Sequence, residues 1–87
     1  MTIEKKHIRD IIDLHNAYYK NTGEHSAFYK LHSYALLVSL RDYYDVYPAM
    51  IPDESDDTSN RGLYICGILY DNMLEQFSDE DLLEALI

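Results

Sequence analysis

Apolar residues recur at three- and four-residue steps near the start of the chain: Ile8, Ile11, Ile12, His15, Tyr18 and Tyr19. That spacing keeps one helical face apolar and predicts a helix over residues 3–21. Thr2 fits its N-cap. Asn21-Thr22-Gly23 fits its stop, because glycine takes positive φ without strain. Ser26 then opens a second helix that runs to about Tyr44. Its apolar positions, Phe28, Leu31, Tyr34, Ala35, Leu36, Leu37, Val38 and Leu40, cover more than one face. A helix apolar nearly all round is a buried one, so this helix is expected to be the central spine.

Pro48 and Pro52 stop any continuation, since proline lacks the amide proton and clashes with the preceding turn. Residues 45–60 read as a loop rich in Asp, Ser, Thr and Asn. Ser59 or Asn60 is expected to cap a third helix over 61–76, with the stripe Leu63, Cys66, Tyr70, Met73, Leu74 and Phe77. Gly67 costs roughly 1 kcal/mol in a helix interior, so it should mark a close helix–helix approach. Ser78-Asp79-Glu80-Asp81 has the capping-box arrangement, and its acidic first turn suits the helix dipole. It predicts a short fourth helix, 79–86, burying Leu82, Leu83, Leu86 and Ile87. No strict alternation or internal repeat appears. The expected fold is all-α, a small bundle of three to four helices with an acidic loop between helices 2 and 3, in a single domain over 1–87.

Charge changes the picture. Residues 1–41 hold six basic against four acidic residues, a balance of +2; residues 42–87 hold twelve acids against Arg61 alone, a balance of −11. A protein with a net charge of −9 is repelled by nucleic acid and by anionic lipid, which argues against direct binding to either. The one-signed half instead favours a basic protein partner, since such a patch speeds encounter with a positive surface. At 87 residues the chain is one domain with a modest core, and a stability of about 5 kcal/mol is expected. The single cysteine, Cys66, excludes an internal disulfide and fits a reducing cytoplasm. The N-terminus has no apolar run after its positive charges, so a signal peptide is not expected. No apolar run approaches the roughly 20 residues that span a membrane.

The remaining chemistry is tested by spacing. A calcium loop starting at Asp53 would need Gly at its sixth position and Glu at its twelfth, but Thr58 and Tyr64 stand there. His7, His15, His25 and His32 offer no pair four residues apart, so each reads as a half-buried helix residue and no metal or cofactor is expected. Cys66 falls on an apolar stripe, where cysteine behaves as a small hydrophobe. No cluster resembles catalytic machinery, and an enzyme is not expected. Tyrosine is enriched at interfaces, and Tyr43, Tyr44 and Tyr47 flank the acidic loop, so these three are assigned to partner contact.

Two families resemble parts of the chain. Ile8-Arg9-Asp10 followed by Asp13-Leu14-His15, then Pro52-Asp53, then Glu80-Asp81-Leu82-Leu83 form a colinear set similar to the Ocr family of phage antirestriction proteins. That resemblance implies an α-helical, dimeric DNA mimic that occupies the DNA groove of type I restriction enzymes in the host cytoplasm. The chain departs from the pattern in lacking a long acidic tail and in carrying Lys5, Lys6 and Arg9 on its first helix. Locally, Tyr47-Pro48, Asp56-Asp57-Thr58-Ser59 and Gly62-Leu63 are similar to the recognition region of immunity proteins that block DNase bacteriocins. Val46 stands where those have a tyrosine, and their proline before the glycine is missing. The expected function is therefore inhibition of a basic, DNA-binding host protein, such as a restriction or CRISPR-type enzyme, with neutralisation of a nuclease toxin as the alternative. A homodimer stays open. The residues assigned to the partner are Asp42, Tyr43, Tyr44, Asp45, Tyr47, Asp53, Glu54, Asp56, Asp57, Asp71, Glu75, Asp79, Glu80, Asp81 and Glu84.

Overall fold

Isoleucine at positions 8 and 11 and leucine at 14 give an eight-residue helix one fully buried face, and they set the centre of the molecule. The computed structural model describes residues 1–20, 27–46 and 58–87. Among these there are four α-helices and no strand: α1 (Ile8–His15), α2 (Ala27–Tyr44), α3 (Thr58–Gln76) and α4 (Asp79–Leu86). A 3₁₀ turn, Lys5–His7, leads into α1, and a π-helical turn, Asn16–Lys20, leads out of it. The fold is a small all-α bundle. The acidic loop lies outside the described residues, as do the side chains of Tyr19, Phe28, Leu31 and Leu63.

The first helix starts later than its periodicity predicts. Ile3 is buried, and its backbone N–H and C=O bond the side-chain amide of Gln76, each at 2.6 Å. That pairing resembles a strand contact and holds residue 3 out of the helix. Glu4, still extended at φ −83° and ψ 142°, stands as the N-cap with no side-chain cap, so the expected cap at Thr2 is not formed. Leu14, absent from the predicted stripe, is fully buried, while Ile12, His15 and Tyr18 are half-buried.

Among the described residues, the most extensive helix contact is α1 against α3, while α2 was expected to be the spine. Among the described side chains of α2 the buried ones are Ser33, Leu37 and Leu40, with Leu36 and Tyr44 packed at the edge of that stripe. Tyr34 and Ala35 are exposed. At these two positions the apolar count around the helix overstates burial, because alanine and tyrosine tolerate the rim of a small core. The helix ends before either proline. Asp45 takes φ 50°, and the Val46 amide donates to the Arg41 carbonyl at 3.1 Å, the six-to-one bond of a Schellman ending. Val46, the residue after the left-handed one, is buried and seals that end.

On α3 the core face runs Gly62, Ile65, Cys66, Leu69 and Met73. The helix begins at Thr58, before the expected caps at Ser59 and Asn60. Leu74, expected inside, is exposed. The close approach also falls at a different glycine. A Cβ on Gly62 would lie 2.9 Å from Tyr18 Cε1 and 3.0 Å from Leu37 Cδ2, whereas Gly67 is only half-buried. Gly62 is thus where the π-helical turn, α2 and α3 meet. Burial also raises the pKa of the Cys66 thiol, to about 12.

The fourth helix has the predicted bounds. Ser78 Oγ accepts from the Asp81 amide at 3.3 Å and donates to Asp81 Oδ2 at 3.1 Å. Its burial differs from expectation. Leu82 and Ala85 pack against the core, but Leu83, Leu86 and Ile87 face outward.

Candidate acidic interaction surface

The acids expected to meet a partner fall into three groups. Tyr47, Asp53, Glu54, Asp56 and Asp57 lie outside the described residues. Asp42, Tyr43, Tyr44 and Asp45 occupy the end of α2, and Asp71, Glu75, Asp79, Glu80, Asp81 and Glu84 lie on α3 and α4. The second and third groups are linked through the N-terminal segment. Lys5 Nζ lies 3.6 Å from Asp81 Oδ1, Ile3 bonds Gln76 on α3, and the Glu4 amide donates to the Tyr44 hydroxyl at 2.9 Å. Residues 3–7 therefore tie together the ends of α2 and α3 and the start of α4.

An aromatic cluster anchors this segment to α2. The His7 ring sits edge-on to Tyr43 and Tyr44, with centroids 4.6 and 5.3 Å away, and the two tyrosine rings are 4.8 Å apart. His7 Nδ1 is 2.5 Å from the Tyr44 hydroxyl. That hydroxyl also accepts from the Glu4 amide, so one tyrosine oxygen joins the backbone of residue 4 to the ring of residue 7. The Tyr43 hydroxyl donates to Glu4 Oε1, and Lys6 Nζ lies 3.3 Å from Glu4 Oε2 and 5.3 Å over the Tyr43 ring. The Tyr43 bond comes first among the causes that lower the Glu4 pKa, and the Glu4 bond comes first among those that raise the pKa of Tyr43 and of Lys6. Tyr44 is half-buried and serves the fold, while Tyr43 keeps half its surface open beside the acids. Sequence reasoning missed Ile3, Glu4, His7 and Gln76. Their contacts join residues 73 apart (Ile3 with Gln76) and 37 apart (His7 with Tyr44), and no local pattern marks them.

The carboxylates differ in what they meet. Asp42 is paired with its own neighbour, Arg41, through Nε at 3.1 Å and Nη2 at 3.0 Å. Asp81 is held by Ser78, first among the causes that lower its pKa, and then by Lys5. Asp45, Asp71, Glu75, Asp79, Glu80 and Glu84 are exposed and have no ion pair with a described residue. Asp71 and Glu75 sit opposite the buried face of α3, four residues and about 6 Å apart along the axis. Glu80 and Glu84 repeat that spacing on α4. The first half is therefore not wholly remote from the acids: Lys5 reaches Asp81, while Lys6 pairs with Glu4 of its own segment.

Among the described residues, no group of three or more His, Cys, Asp or Glu side chains could hold a metal ion, and no helix is long and apolar enough to cross a membrane. Comparison with protein-family models, with curated proteins and with solved structures returned no match to this chain.

Proposed function

We propose that the chain is an inhibitor that lays its acidic face on the nucleic-acid-binding surface of a basic protein, in the manner of phage antirestriction DNA mimics. The observation that carries this reading is the exposure of Asp71, Glu75, Asp79, Glu80 and Glu84, none of them paired with a described cation. Five carboxylates on two helices joined by only Phe77 and Ser78 are held at fixed spacing, so they present a field without an ordering cost on binding. Each strand of a duplex presents one charge per about 3.4 Å. A helical stripe with one carboxylate per about 6 Å reaches roughly half that density. Neighbouring stripes on α3 and α4 make up the difference, which favours binding over a broad positive surface rather than in a single narrow slot. The targets this fits best are DNA-binding restriction or CRISPR-type complexes.

The test is a pull-down from bacterial lysate at low and high salt, followed by competition with duplex DNA on each identified protein. Recovery of DNA-binding complexes that are released by salt and by DNA is expected. Reversing Asp71, Glu75, Glu80 and Glu84 to lysine should lower their affinity by at least about a hundredfold at low salt. A single nuclease held through high salt would replace this reading with the cognate-toxin one. Partners indifferent to all four reversals would reject the acidic-face reading.

A further inference from the structure

The acids do not account for the whole outward face of α4. Leu83 is 63% exposed and Leu86 47% exposed, and they stand three residues apart, so they form one ridge. Leu82 and Ala85 already provide the contact of α4 with the core, so the outer leucines are not needed to dock the helix. Single exposed leucines are ordinary on a protein surface. Two on one face of an eight-residue helix, with Asp79, Glu80 and Glu84 around them and no basic residue in the last turn, are a patterned surface. Phosphate mimicry has no use for an apolar ridge, because a phosphate array has no apolar counterpart.

We propose that the outward face of α4 docks a basic amphipathic helix of the partner protein. Leu83 and Leu86 fill the apolar stripe of that helix, and Asp79, Glu80 and Glu84 meet the lysines and arginines beside it. The sign of the partner's charge rests on the acidic-face reading above; the apolar contact is independent of it. Charge decides among the occupants. A second copy pairing through α4 about a two-fold axis would set these acids against themselves, and like charges across an interface cost several kcal/mol. A lipid surface is disfavoured in the same way, since helices that lie on membranes carry lysine and arginine on the polar face and anionic headgroups repel this one. A helix with leucines at three- and four-residue steps and flanking cations satisfies both halves of the surface.

The probes are two synthetic helical peptides of identical leucine and lysine content. One has its leucines on a single face; the other has them scattered around the helix. Their binding to the full chain is measured by fluorescence anisotropy at low and high salt. The one-faced peptide should bind at least about tenfold tighter at high salt. Leu83→Asn with Leu86→Asn should abolish that difference while leaving the weak, salt-sensitive binding of the scattered peptide. Circular dichroism confirms that the double variant folds, as expected when two exposed side chains change. Equal binding of the two peptides overturns the proposal, and so does a difference that survives the double substitution. A wild-type dimer in sedimentation that the leucine substitutions dissolve assigns the face to a second copy. Binding to neutral phosphatidylcholine vesicles that the same substitutions remove assigns it to lipid. Failure of the acidic-face reading is seen separately, as scattered-peptide binding unchanged by Glu80→Gln with Glu84→Gln.

Discussion

α1 and α4 are both eight residues long, both begin near acids, and both pack on the same core, yet they are held in opposite ways. α1 buries Ile8, Ile11 and Leu14 completely, and the side chain of its N-cap, His7, bonds Tyr44 rather than capping the helix. α4 buries no residue fully, but it has a serine cap and three acids in its first turn. Isolated helices of this length are marginal in water. α1 overcomes that by packing, and α4 largely by satisfying its own N-terminal amides and dipole. A helix secured locally can turn most of its surface outward, which is what an interaction helix requires.

The sharpest way to break the comparison is to make the same kind of deletion in each helix. Ile11→Ala should cost about 2–5 kcal/mol, because it opens a cavity among fully buried neighbours. Against a total of about 5 kcal/mol this brings the chain close to unfolding. Leu83→Ala should stay within about 0.5 kcal/mol of wild type. Urea unfolding by circular dichroism measures both. Cys66 gives an independent readout, since its buried thiol, with a pKa of about 12, reacts only when the core opens. Labelling by a thiol reagent should accelerate strongly in Ile11→Ala and not in Leu83→Ala. Equal losses in the two variants would mean that α4 is part of the core after all.

Gly62→Ala comes next. The added carbon would gain up to about 1 kcal/mol of helix propensity, yet it would sit 2.9 Å from the Tyr18 ring and 3.0 Å from a Leu37 methyl. Overpacking of that kind costs about 1–3 kcal/mol, so a net loss of about 1 kcal/mol is expected. A stabilised variant would show that Tyr18 moves aside freely.

These two sites also show what the sequence could and could not reveal. The bounds of α4 and its cap were legible because they depend on neighbours three residues apart. The end of α2 was legible in position but not in cause: the prolines were expected to stop it, and a left-handed Asp45 does so first. Burial was harder to read. Leu83 and Leu82 are adjacent and chemically identical, and only the approach of the core decides which one packs. Gly62 and Gly67 likewise differ only in what lies opposite. The tether of Ile3, Glu4 and His7 could not be read at all, because its partners Gln76 and Tyr44 sit far along the chain. The exposure of the carboxylates on α3 and α4 follows from their place opposite the apolar stripes, but Lys5 comes to Asp81 from the other half of the chain, which no local pattern marks.

Ser78→Ala tests whether α4 depends on its cap. The loss should be about 1 kcal/mol, the usual value for an N-cap hydroxyl. It should fall on α4 alone, so amide exchange should quicken at the start of α4 while the core of α3 stays protected. A uniform loss across both helices would mean that they unfold as one unit and that α4 has no separate support.

The smallest effect is the acid dependence of the same cap. Asp81 has its pKa lowered below the ordinary 3.8, chiefly by the Ser78 hydroxyl, and Glu4 has its pKa lowered below 4.5, chiefly by Tyr43. A carboxyl that binds its proton less tightly when folded contributes stability above its unfolded pKa and loses it as pH falls through the folded one. Both contributions are therefore intact at neutral pH and fade below about 4.5 for Glu4 and 3.8 for Asp81. Both side chains are open to solvent, so screening keeps each effect small. Carbon-detected NMR titration separates them. Ser78→Ala should raise the Asp81 midpoint and leave Glu4 unchanged, and Tyr43→Phe should do the reverse. If Ser78→Ala leaves the Asp81 midpoint in place, Lys5 rather than the cap fixes that carboxylate. The first turn of α4 would then be held from the N-terminal segment, and the contrast between the two helices would narrow to burial alone.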